Sequence, residues 1–275
     1  MLADMKTPPA EPGHAIVTGG SSGIGFAIAL ALRERGLSVT IIARDQARLD
    51  GAKQRLSAQP SPGGVAAFSA DVGDEAALRQ AIEASIAAFG LPSWAVSSAG
   101  IVTPAEFLDT SIADHLAQLG TNYIGSLHLA HIVAPKLSEG GHLVFVASGA
   151  AILGIYGYSA YGASKFAVRG LAEVLRVELA ARKIAVTLAL PPDTDTAMLA
   201  AEEKIRPEAT RRISKGAGIW KPDDVARMIV RGASARRFIV APGWQLKVLA
   251  AIHSLIAPAF RLYQQRVADA VSRGR

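Results

Sequence analysis

Tyr161 and Lys165 stand four residues apart at the head of a run, 166–180, whose apolar residues recur with helical period. On a helix that spacing stacks two side chains one turn apart on the same face. An ammonium group near a phenol favours the phenolate, so Tyr161 is expected to titrate below its ordinary value of about 10. Such a tyrosine can give or take a proton at an alcohol or ketone oxygen. Ser148, thirteen residues upstream, follows the strand-like run 143–146 and is placed to hold the same oxygen by a second hydrogen bond. A Tyr-x-x-x-Lys spacing alone is more often surface packing than chemistry, so the elements around it decide.

The first of those elements is a phosphate cradle. Residues 15–17 form an apolar strand that runs into Thr18, Gly19, Gly20, Ser21, Ser22, Gly23, Ile24 and Gly25, and then into a helical pattern over 26–35. Gly19 permits the tight turn, Gly23 lets backbone approach a phosphate, and Gly25 allows close helix–strand packing. Free N–H groups at the helix start then face a pyrophosphate. A second strand, 37–42, ends at Ala43, Arg44 and Asp45, with Arg44 nineteen residues after Gly25. That is where the ribose-reading residue of a dinucleotide site belongs. Arg44 favours a 2′-phosphate, hence NADP(H) over NAD(H). Asp45 would favour the reverse if the register moved by one.

Further strands are predicted over 65–68, 94–97, 143–146 and 185–190, and helices over 50–56, 75–89, 114–135 and 161–180. Apolar strands alternating with helices imply an α/β fold, a single Rossmann-type, doubly wound parallel sheet with helices on both faces. Ligands in such sheets bind beyond the strand C-termini, and every motif above follows a strand. Residues 1–12, with three prolines, read as a disordered lead-in, 13–237 as the NADP-binding catalytic domain and 238–275 as an apolar and basic C-terminal extension. Residues 197–220 carry little apolar periodicity and are expected to form a substrate lid.

Composition narrows the function. The chain has 275 residues, half of them hydrophobic, and no cysteine, which excludes a disulfide framework, a thiolate metal site and a cysteine nucleophile. The six histidines show no ligand spacing, so no metal is expected. Net charge is +6 and the pI about 9.7, but the basic runs lack interleaved aromatics, which argues against nucleic acid. The N-terminal residues lack the apolar core of a signal peptide, so the expected compartment is the cytoplasm. Residues 238–263 are largely apolar, interrupted by Lys247 and His253 and expected to kink at Pro258. The unbroken run falls short of the ~20 residues that span a bilayer. An amphipathic helix at the cytoplasmic face of a membrane, with Arg261, Arg266 and Arg273 beside it, suits the pattern; a core or subunit-contact helix is the alternative.

With these residues in place, the chain resembles the short-chain dehydrogenase/reductase family over about 14–237. Thr18, Gly19, Gly23, Ile24 and Gly25 match the family's glycine motif, and Asn122, Ser148, Tyr161 and Lys165 match its catalytic set. The resemblance implies that Tyr161 protonates a carbonyl oxygen and Ser148 polarises it. It implies that Lys165 lowers the tyrosine pKa and holds the nicotinamide ribose, and that Asn122 holds a water for proton resupply. It also implies that Asp71 and Val72 contact adenine, Ala99 and Gly100 pack beside its ribose, and Pro191, Thr194 and Thr196 line the nicotinamide end. Two departures stand out. Ser97 and Ser98 replace the usual asparagine pair, with a small loss of loop rigidity expected, and Pro192 replaces a glycine. The segment 191–196, the stretches 143–148 and 160–173, Glu202-Glu203-Lys204 with Pro207, and Lys221-Pro222 with Val225-Ala226 resemble the 3-ketodihydrosphingosine reductases of that family. That implies NADPH reduction of the 3-keto group of a long-chain sphingoid base, in a homodimer or homotetramer. A reductase for another lipophilic ketone or alcohol is the alternative, and a non-catalytic nucleotide-binding protein a third.

Overall fold

Seven apolar strands pair in parallel in the order β3-β2-β1-β4-β5-β6-β7. They are β1 His14–Thr18, β2 Ser38–Ala43, β3 Val65–Ser69, β4 Trp94–Ser97, β5 His142–Val146, β6 Ala185–Ala189 and β7 Ile239–Val240. The computed structural model describes residues 13–214 and 218–274. The lead-in over 1–12, and 215–217 of the anticipated lid, lie outside the described residues. β1, β4 and β6 are buried along their whole length, as strands covered on both faces must be.

One face carries α1 Gly23–Glu34, α2 Gln46–Ser57 and α9 Pro222–Ser234; the other carries α3 Glu75–Phe89, α5 Gly125–Val133 and α6 Ser159–Glu178. Trp94 seals the first layer and Phe145 the second, both almost fully buried. Capping fixes where helices start: Asp45 accepts from the Arg48 N–H at 3.0 Å and Asp74 from Ala77 at 3.0 Å. These caps explain why α2 begins at Gln46, four residues before the position expected from periodicity. β7 was not anticipated; its two residues lie in the stretch read as extension.

The single helix expected over 114–135 is broken. α4 Ile112–Leu119 gives way to one π turn, Gly120–Ile124, before α5 begins. The wider turn carries Asn122 and re-aims the side chains after it, a device common at functional sites. Within the anticipated lid, α7 Ala197–Ile205 and α8 Glu208–Ser214 are helical. α10, Trp244–Arg273, breaks at Ile252 (φ −127°, ψ 23°), six residues before Pro258 rather than at it. There the His253 ring nitrogen Nδ1 meets the Ala250 carbonyl at 3.3 Å.

Candidate active site

The glycine loop folds as its sequence demands. Gly19 sits at φ +69°, and a Cβ there would fall 2.6 Å from the Ala99 nitrogen. A Cβ on Gly25 would lie 2.3 Å from the Gly19 carbonyl oxygen, so the loop closes on helix α1 only because both positions lack side chains. Ser22 caps α1 with no side-chain hydrogen bond, and the first turn holds no acidic residue. Its backbone N–H groups therefore face the adjoining cavity, where an anion is favoured. Ser21, Ser22, Gly23 and Ile24 line that cavity with Gly19 and Gly25. Thr18, expected among the cofactor contacts, does not: it is fully buried and its hydroxyl donates to the Val96 carbonyl at 3.3 Å. Its strand position turns it inward.

The cavity measures about 1010 Å³ and runs from this loop along the C-terminal edge of the sheet. Arg44, Asp71, Val72, Ala99 and Gly100 line its next section. Arg44 and Asp45 differ in what else they hold. The Asp45 carboxylate takes the Arg48 N–H through one oxygen and pairs with the Arg48 guanidinium at 3.4 Å through the other, so it serves α2. Arg44 and Asp45 both line the cavity, and Arg44 has Asp71 at 3.7 Å. Arg48, which sequence reasoning did not single out, also lines the rim; a basic residue in the first turn of α2 was the signal.

Ser148, Tyr161 and Lys165 meet deeper in the same cavity. The Ser148 hydroxyl is within hydrogen-bonding reach of the Tyr161 phenol. Lys165 lies on the next turn of α6, its Nζ 5.5 Å from the Tyr161 ring centre and donating to the Val146 carbonyl at 3.1 Å. Burial lowers the Lys165 ammonium to about 8. The expected depression of Tyr161 is corrected. Burial raises the phenol, the Ser148 bond works the other way, and the Glu202 and Asp193 carboxylates add to the rise. Withdrawal from water is the largest influence on this buried phenol.

Asn122 does not line the cavity, and its amide is occupied. Oδ1 accepts from the Ile101 N–H at 2.8 Å, while Nδ2 donates to the Ile101 carbonyl at 3.0 Å and to Ser164 Oγ at 2.9 Å. Ser164 in turn donates to the Tyr161 carbonyl at 2.7 Å. Asn122 thus clasps the loop after β4 to the turn that carries Tyr161. Ser164, missed by sequence reasoning, sits three residues after Tyr161 and was visible inside the same motif. The serine departure at β4 has a structural counterpart: Ser97 and Ser126 hydroxyls meet at 2.9 Å, and Ser126 donates to the Asn122 carbonyl at 2.6 Å. That relay fixes the π turn from below.

Pro191, Thr194 and Thr196 also line the cavity. Thr196 caps α7 and stands beside Gly23, whose absent Cβ would lie 3.1 Å from its methyl group. The loop is held by Trp220, whose N–H donates to the Asp193 carbonyl at 2.9 Å and whose carbonyl accepts from Asp195 at 2.9 Å. Beyond it lies a cluster that sequence reasoning left undrawn. The Tyr158 hydroxyl donates to Glu202, and Arg206 binds Glu202 at 2.5 Å, Glu203 at 2.5 Å and Asp193 at 3.4 Å. The i,i+4 spacing of Glu202 and Arg206 was its signal.

α10 roofs the far end. Leu246, Leu249 and Phe260 face the cavity, and Gln264 accepts from the Tyr156 N–H at 2.8 Å and donates to the Gly154 carbonyl at 2.9 Å. Its other edge exposes Trp244, Leu255 and Leu262. By length and composition alone the helix is apolar enough to cross a membrane, with a mean hydropathy of 1.3. The glycine-loop end of the site suits a dinucleotide: the N–H cradle would take phosphates, Arg44 and Arg48 further negative charge, and the side-chain-free surface of Gly19 and Gly25 would admit close approach.

Comparison with known proteins agrees with this geometry. The short chain dehydrogenase family matches residues 13–206. The 3-ketodihydrosphingosine reductase of Bos taurus is 36% identical over 257 residues, covering 91% of this chain and 77% of the relative. The 3-dehydrosphinganine reductase of Danio rerio is 35% identical, covering 89% and 75%. Among solved structures, a short chain dehydrogenase from Burkholderia cenocepacia J2315 in complex with NADP superposes with a TM-score of 0.74 at 29% identity, covering 85% of this chain and 98% of that one. A dehydrogenase/reductase from Sinorhizobium meliloti 1021 gives 0.75 at 29%, covering 86% and 96%. With a family match over most of its length and relatives that span nearly all of it, the chain belongs to the short-chain dehydrogenase family and is an oxidoreductase.

Proposed function

We propose that the chain reduces the 3-keto group of a long-chain sphingoid base to the alcohol, with NADPH as reductant and Tyr161 as proton donor. The observation that carries this reading is the joining of three parts in one cavity: a phosphate cradle, the Ser148–Tyr161–Lys165 group and an apolar roof from α10. The names of the relatives at 36% and 35% identity support the substrate. The Arg44 side chain, with Asp45 committed to capping, supports the phosphorylated dinucleotide.

When bound, NADPH would supply hydride to the carbonyl carbon; the cradle after β1 would hold its phosphates and Lys165 its nicotinamide ribose. Ser148 Oγ donates to the carbonyl oxygen and orients it. As negative charge develops there, Tyr161 passes its proton to that oxygen. The raised phenol stays protonated at neutral pH, which suits an acid in the reducing direction. The Lys165 ammonium stabilises the phenolate left behind. Asn122 and Ser164 hold the Tyr161 turn and act as positioning residues.

The α/β body over 13–237 is the proposed catalytic unit, and the exposed edge of α10 a peripheral contact with a membrane from which a single-chain lipid enters under the roof. NADPH oxidation with 3-ketosphinganine, measured beside a panel of short ketones, tests the substrate. Preferred turnover of the long-chain ketone is expected; turnover of short ketones alone would refute it.

A further inference from the structure

Beside the reacting tyrosine stands a carboxylate that the reduction itself does not use. Glu202 on α7 is 11% exposed at its side chain and lines the cavity. The bonds it makes, from Tyr158 and from Arg206 Nε and Nη2, all fall on Oε1. Oε2 has no hydrogen-bond partner among the described residues. Arg206, 4% exposed, is the cation of this cluster and meets three carboxylates, those of Asp193, Glu202 and Glu203. Glu203 faces solvent, but Asp193 and Glu202 both line the cavity, so its wall keeps an excess of negative charge. The Tyr158 ring lies 5.7 Å from the Tyr161 ring, so this wall adjoins the part of the cavity that Tyr161 serves. Both carboxylates are felt electrostatically at the Tyr161 hydroxyl.

A negative wall opposes the developing alkoxide, so for a neutral ketone it is a cost. It becomes an asset when the substrate carries a cation next to the carbonyl carbon. We propose that Glu202, held by Tyr158 and Arg206, binds the ammonium group of an α-amino ketone and selects for it, while the alkyl chain runs toward Leu246, Leu249 and Phe260. The proposal rests on the keto-reduction reading above and adds the residue that recognises the amine. The ammonium donates to the open Oε2, and its charge offsets the carboxylates during proton transfer from Tyr161. Glu202 also joins α7 to the head of α6 through Tyr158, so recognition of the amine is coupled to seating of the helix that covers the site.

The test uses the full chain, NADPH and two ketones: a long-chain 2-amino-3-ketone and the same chain with hydrogen in place of the amino group. The expected wild-type preference for the amino ketone in kcat/KM is about 10- to 100-fold, the scale of one charge-assisted hydrogen bond. Glu202→Gln should reduce that ratio to within about threefold, the change residing mainly in KM. A ratio left intact in the variant would overturn the proposal, and so would equal losses on both ketones, which mark a purely structural tie between α6 and α7. Acetylating the amine provides a readout on unaltered protein: the wild type should treat the amide as it treats the amine-free ketone. Reduction of both ketones with no preference refutes amine recognition and leaves keto reduction standing. Reduction of neither long-chain ketone refutes keto reduction, and amine recognition falls with it.

Discussion

Replacing Arg44 by aspartate asks the cavity which dinucleotide it is built for. The Arg44 guanidinium is 60% exposed and its ion pair with Asp71, 46% exposed, spans 3.7 Å. Such a pair is worth no more than about 0.2–1 kcal/mol, so it exchanges readily for a phosphate. A charge-assisted bond to a 2′-phosphate contributes about 1.5–3 kcal/mol, equivalent to roughly 10- to 150-fold in Kd. Arg48 remains at the rim and keeps part of the attraction. Arg44→Asp should therefore weaken NADPH binding by about 10- to 100-fold, while NADH changes by less than about threefold or improves, since the new carboxylate can accept from a 2′-hydroxyl. Asp45, which also lines the cavity, keeps its cap on the first turn of α2 in both proteins, so its contribution cancels in the comparison. Fluorescence titration of both dinucleotides at two salt concentrations reads the result, and the NADPH difference should shrink at high salt. An unchanged ratio of the two affinities, in a variant with wild-type thermal stability, would refute the assignment of Arg44.

Two titrations give further checks. Lys165 keeps its charge only below about 8, so reductive kcat should decline as pH rises through that value; a profile flat from about 7 to 10 would remove its ammonium from the mechanism. His142, stacked on Trp94 at 4.1 Å, is lowered from 6.5 to about 4, first by burial and then by the Arg236 and Arg35 charges. Its neutral form is the one the fold favours, so its contribution is intact above 6.5 and is lost as pH falls toward 4. The loss amounts to at most about 3 kcal/mol, and His142→Phe should flatten that part of the acid stability curve measured by urea melts.

The residues that do local work were legible in the chain; those that act across it were not. The order strand, glycine loop, helix announced the cradle, and the Tyr161–Lys165 spacing placed both on one stretch of α6 because helical geometry is local. The π turn at Gly120–Ile124 was hidden because a helix with one widened turn keeps an apolar pattern close to that of a regular one. β7 has two residues, too few for any alternation to register. The direction of the Tyr161 shift depends on how much protein surrounds the phenol, which spacing cannot report. Tyr158, Glu202 and Arg206 meet only because α7 folds back over the head of α6, and the Tyr158–Glu202 contact spans 44 residues of sequence. That Asp45 caps α2 while Arg44 pairs with Asp71 became visible only once the start of α2 was known.

Tyr161→Phe keeps the ring and removes only the hydroxyl that is proposed to protonate the carbonyl. NADPH affinity and turnover of the long-chain ketone, measured on the same preparation, make the most direct test. Affinity within about twofold of wild type and a kcat reduced by about 10²- to 10⁴-fold are predicted. Turnover within about threefold of wild type would show that another group delivers the proton and would contradict the mechanism at its centre.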